Sequence, residues 1–107
     1  MTLKQLRELK DSWQERLEIP EWTIKLHWAI PSRHKGLSGF CDYQTEYRCA
    51  NIWIARDEPS KEFFLVHELL HIVLEGHKEE QTPYDVHMER AINRISGALV
   101  SPGLAQG

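Results

Sequence analysis

Cysteine is scarce in this chain. The two thiols among 107 residues, Cys41 and Cys49, are too few for a disulfide scaffold and too far apart for a zinc-binding cysteine pair. They stand equidistant from Thr45, so a hairpin centred there would set them opposite each other. Met1-Thr2-Leu3-Lys4 does not open a secretion signal, so two reduced thiols and a cytoplasmic protein are expected. Long apolar runs are also missing, which excludes a membrane-spanning helix. Basic charge is not in excess: 13 Lys and Arg stand against 16 Asp and Glu, net charge −3, with the two signs interspersed. That pattern lacks the basic face of a nucleic-acid binder. No repeat or low-complexity segment divides the chain, and 107 residues suffice for one modest core. One domain over residues 1–107 is expected, as a monomer.

What the chain does contain is a patterned run, Val66-His67-Glu68-Leu69-Leu70-His71-Ile72-Val73-Leu74. His-Glu-x-x-His inside an apolar helix places His67 and His71 four residues apart on one face, spaced to share a metal ion. Glu68 stands beside them, in reach of a metal-activated water. Core histidines bonded to main-chain carbonyls are the plainer alternative. It does not account for Glu68, whose carboxylate among Leu, Val and Ile is expensive to bury unpaired.

The rest of the chain reads as a frame for that helix. Leu3 to Glu18 carries helical apolar spacing with Thr2 as N-cap, ending at Ile19-Pro20. Trp22 to Trp28 alternates as a half-buried strand, with Trp22, Ile24, Leu26 and Trp28 inward and His27 outward. Leu37 to Tyr43 and Tyr47 to Ala55 read as a hairpin around Gln44-Thr45-Glu46, giving a mostly antiparallel sheet of three strands with 49–54 at its edge. Ser60 caps a helix from Lys61 to about Glu75 that Gly76 terminates as a C′ residue. Thr82-Pro83-Tyr84-Asp85 opens a last helix that runs to about Val100, with an apolar stripe of Val86, Ile92, Ile95 and Leu99. The fold class is therefore α+β.

A catalytic zinc site keeps three protein ligands and one open position. Glu89 interrupts the apolar stripe of the last helix and is the preferred third ligand; a salt bridge to Arg90 or Arg94 is the alternative for it. His77, six residues after His71, competes for the same role, although Leu74 occupies the place where a metzincin needs glycine. His87 lies two residues from Glu89 and so faces away from it. Asn93, one turn beyond Glu89, is placed to orient a ligand histidine as an outer-shell acceptor.

His67-Glu68-x-x-His71 followed by Glu89 on the next helix resembles the gluzincin pattern of metallopeptidases. The small size is similar to minigluzincins and to short phage or bacterial metallopeptidase-like proteins. In the latter, the motif precedes a helix like the run Glu89-x-x-Ile92-Asn93-x-Ile95-Ser96. The resemblance implies a minimal zincin-like domain, Zn²⁺ as cofactor, a polypeptide substrate and Glu68 as general base. Asn93 departs from the aspartate common in that family, and Tyr84, His77, His87 and Arg94 are the candidates for its oxyanion-stabilising role, none of them a direct counterpart of the family's histidine. Two other functions fit the same residues: a non-catalytic zinc-stabilised binding or regulatory module, and a latent peptidase blocked by its own terminal segment.

Overall fold

The computed structural model describes residues 1–30, 32–76 and 85–100. Three helices and a three-stranded sheet alternate as α1 (Leu3–Arg16), β1 (Thr23–His27), β2 (Gly39–Gln44), β3 (Cys49–Ile54), α2 (Lys61–Glu75) and α3 (Val86–Val100). The class is α+β, as the patterning suggests. Among the described residues no helix is long and apolar enough to cross a membrane.

The sheet order is β1-β3-β2. β2 and β3 form the antiparallel hairpin, whereas β1 lies parallel to β3 on its other side. The sheet is thus mixed rather than mostly antiparallel, and β3 is its centre rather than its edge. The stretch between β1 and β2 is long enough to carry the chain past β3, so that β1 and β3 run the same way. In the hairpin, Gln44 pairs with Cys49 and Cys41 with Ile52. The turn therefore spans Thr45 to Arg48, with Arg48 at φ 50°, which moves the two thiols out of opposition; both are free.

One face of the sheet is buried. Ile24 and Leu26 of β1, Cys41 and Tyr43 of β2, and Ala50, Ile52 and Ile54 of β3 point inward. Against them lies α2, buried without a break from Leu65 to Leu70. A helix apolar on nearly every side belongs at the centre of a fold, and each fully buried Leu or Ile contributes about 1.5–3 kcal/mol. α1 packs on the far side of α2 through Leu6 and Trp13, and the Trp13 indole N–H donates to Glu62 at 2.9 Å. Trp28, expected inward, is only half-buried; its indole N–H reaches the Arg56 carbonyl.

The helix ends explain themselves locally. Thr2 and Gln5 form a reciprocal capping box at the start of α1. At its end Glu18 takes φ 61°, Ile19 N–H bonds Gln14 C=O, and Glu18 N–H bonds Glu15 C=O. That is a Schellman stop, reached before Pro20. Ser60 occupies the N-cap position of α2 without a side-chain cap bond, and Gly76 closes α2 in the right-handed region at φ −68°. Gly76 is required there by close approach, since a Cβ would clash with the Ile72 carbonyl oxygen and lie 3.0 Å from Trp22 Cζ2. α3 starts at Asp85, whose Oδ1 accepts from His87 N–H at 2.9 Å and Met88 N–H at 3.3 Å. The Thr82 cap expected from the sequence lies outside the described residues.

Candidate metal centre

α2 presents His67 and His71 one turn apart, with ring centroids separated by 5.1 Å. α3 crosses them and brings Glu89 between their outer nitrogens. Nε2 of His67 lies 3.1 Å from Glu89 Oε2, and Nε2 of His71 lies 2.7 Å from Glu89 Oε1. One carboxylate thus spans both imidazoles, and Glu89 makes no ion pair with Arg90 or Arg94 in the described structure.

This contact also sets how α3 is turned. Its inward line passes through Glu89, Ile92, Ser96 and Val100, with Ile92 and Ser96 fully buried. The expected stripe is corrected accordingly: Ile95 is 40% exposed and Leu99 45% exposed, while Val86 is 43% exposed. Presenting Glu89 to the histidines rotates those three side chains away from the core.

Glu68 sits beneath the same pair, 6% exposed. The ligand atoms of His67, Glu68 and His71 all lie within 4.8 Å of one another, a group that could hold a metal ion. Burial, and then the charge of Glu89, push the Glu68 carboxyl up to about 8. Its Oε2 packs against β2 where Gly39 has no side chain; a Cβ there would lie 3.1 Å from that oxygen. Two carboxylates therefore border the imidazoles, and they differ in kind. Glu89 is bonded to both Nε2 atoms, whereas Glu68 lies alongside in a drier place.

The histidines differ as well. Burial above all holds the His67 ring below its ordinary pKa, with the neighbouring His71 adding to this, while Glu89 and Asn93 pull the other way. Neutral imidazole is the form that binds metal. Asn93 lies close enough to raise the proton affinity of His67, but His67 Nδ1 is buried without a hydrogen-bond partner among the described residues, so the outer-shell bond expected from Asn93 is not seen there. His71 is better served. Its Nδ1 lies 3.1 Å from Oε1 of Glu75, one turn further along α2 and 5% exposed.

Glu75 escaped sequence reasoning, although the signal was there: a carboxylate at i+4 from His71, closing an apolar run. His87 is exposed, as is Arg94. His77 and Tyr84 lie outside the described residues.

The donor set suits a divalent cation: two imidazole nitrogens and a carboxylate converge, with a second carboxylate within reach. Among the described residues β2 is an edge of the sheet, and its Gly39 lies beside Glu68. Ala55 N–H donates to Ser38 C=O at 2.9 Å, so the antiparallel alternation directs the main-chain groups of Phe40, Asp42 and Gln44 onto β3. Those of Gly39 and Cys41 turn to the open side. No family model, curated protein or solved structure matches the chain.

Proposed function

We propose that the chain is a zinc-dependent peptidase of minimal, gluzincin-like design, in which His67, His71 and Glu89 hold the metal and Glu68 is the general base. The observation that carries this reading is the single Glu89 carboxylate meeting Nε2 of both motif histidines. Three groups from two helices point at one place, which a core histidine pair does not require. Zinc is favoured over other common divalent ions by a set of two imidazoles and one carboxylate.

Zinc bound there would supply a Lewis acid, polarising the scissile carbonyl and lowering the pKa of water to about 7. The chain's own residues do the remainder. Burial lowers the proton affinity of His67, which favours the neutral ring that donates a lone pair. Glu68 takes the proton of the attacking water and delivers it to the leaving amine nitrogen. The walls beside it are apolar, with Phe63 and Phe64 both 6.4 Å from the His67 ring, which strengthens charge interactions inside the site.

An extended polypeptide substrate is proposed to pair with β2, not with β3, which already has a strand on either side. The outward main-chain groups of Gly39 and Cys41 would fix such a chain beside Glu68. The test is elemental analysis of the purified protein combined with a peptide-library assay on wild type and Glu68→Gln. A zinc-loaded wild type that cleaves peptides, and a zinc-loaded Glu68→Gln that does not, are expected. A variant as active as wild type would overturn the role of Glu68, and a protein without bound metal would overturn the site.

A further inference from the structure

We infer that Glu75 is the positioning residue of the metal site: its buried carboxylate grips His71 at Nδ1 and so aims Nε2 at the cation. The inference rests on the proposed metal site and names the group that orients it. The geometry starts with His71, both of whose nitrogens face a carboxylate oxygen. Nδ1 lies 3.1 Å from Glu75 Oε1, and Nε2 lies 2.7 Å from Glu89 Oε1. A neutral imidazole carries one N–H and can donate to only one of them. With the proton on Nδ1, shared with Glu75, the Nε2 lone pair faces Glu89. Two electron-rich atoms at that distance need a shared proton or a metal ion, and the proposed site supplies the metal ion.

Glu75 is built to stay where it is. It lies in the last turn of α2, is 5% exposed, and is followed by Gly76, packed against Trp22. A desolvated carboxylate is expensive without a partner, and the ion pair it makes among the described residues is with His71, not with Lys or Arg. The contrast with His67 sharpens its role. There Nδ1 is buried without a partner among the described residues, and the nearby group, Asn93, is a neutral amide. The two histidines are therefore unequal. His71 is held from behind by a charge-assisted hydrogen bond, and His67 depends on its packing and on the metal.

The experiment compares wild type, Glu75→Gln, Glu75→Ala and Asn93→Ala for zinc affinity, by competition with a chromogenic chelator, at a temperature where circular dichroism shows each folded. Loss of an outer-shell acceptor weakens metal binding by about 10–100-fold, the range expected for Glu75→Ala. Glu75→Gln keeps the shape and one acceptor oxygen, so it should fold and lose less, and Asn93→Ala should lose less than Glu75→Ala. A slowly exchanging imidazole N–H at His71 Nδ1 should be visible by NMR in wild type and lost in Glu75→Ala. A purely structural Glu75 would lower thermal stability without moving affinity, the N–H signal or the visible spectrum of the cobalt-substituted protein. Wild-type affinity in folded Glu75→Ala overturns this inference alone; a wild type that binds no zinc overturns it together with the site.

Discussion

Nε2 of His71 lies 2.7 Å from Oε1 of Glu89, a bond that ties α3 to the motif helix and fixes which side of α3 faces inward. If Glu89 is a ligand, Glu89→Ala should weaken zinc binding by more than the roughly 10–100-fold typical of an outer-shell loss. His77→Ala should leave affinity near wild type. Metal content by mass spectrometry after dialysis against a weak chelator ranks the two variants. The reverse ranking would favour the metzincin-like arrangement.

Glu68 gives a pH signature in the metal-free protein. Its folded pKa is pushed up to about 8, above an unfolded value near 4.3. Between those values the native state holds a proton that the unfolded chain has released. Stability from this group is therefore complete below the unfolded pKa and falls as pH rises to about 8. The metal-free protein should lose stability from pH 5 to pH 9, by an amount on the order of a few kcal/mol. Glu68→Gln, which cannot ionise, should flatten that slope. Urea melts of both proteins at several pH values check it; parallel curves would contradict the burial-driven shift.

Much of this site could be read from residue spacing, and the reasons are local. His67, Glu68 and His71 are set by helical period alone, and Glu89 by the cost of a carboxylate in an apolar stripe. What spacing could not give was non-local. β1 alternates correctly, but alternation does not say which strand it joins or in which direction, so the parallel pairing and the central place of β3 were out of reach. The inward face of α3 was misjudged because apolar content favoured Ile95 and Leu99, whereas the bonds from Glu89 to two histidines decided the rotation. Glu75 was missed because it resembled the ordinary polar end of a helix. Its burial shows only once Gly76 meets Trp22.

The two thiols should react very differently. Cys41 is buried on the inner face of β2. Desolvation first, and then the charges of Glu68, Asp42 and Glu75, hold its pKa well above 9.0. Cys49 is half-buried at the start of β3, with its Sγ 3.7 Å from Gln44 Oε1. Since thiolate is the reactive form, a disulfide reagent should titrate one thiol per folded chain and two in denaturant. Cys49→Ser should abolish the reaction of the folded protein. Two equivalent thiols in the folded state would be incompatible with this packing.

Gln14 holds the end of α1 to the strand that follows. Its side chain is 5% exposed, and its Nε2 donates to the carbonyls of Ile19 at 3.2 Å and Trp22 at 2.9 Å. These bonds secure the left-handed stop at Glu18 and the entry to β1. Gln14→Leu keeps much of the volume and strands the Trp22 carbonyl, while Ile19 C=O keeps the N–H of Trp22 at 3.3 Å. Leaving a buried acceptor unpaired costs about 1–3 kcal/mol, and a loss in that range is expected. Glu15→Ala, next door on the exposed side, should stay within about 0.5 kcal/mol. Chemical denaturation of the two variants tests the pairing directly. Equal effects would mean that the polar side chain inside this turn does not hold it.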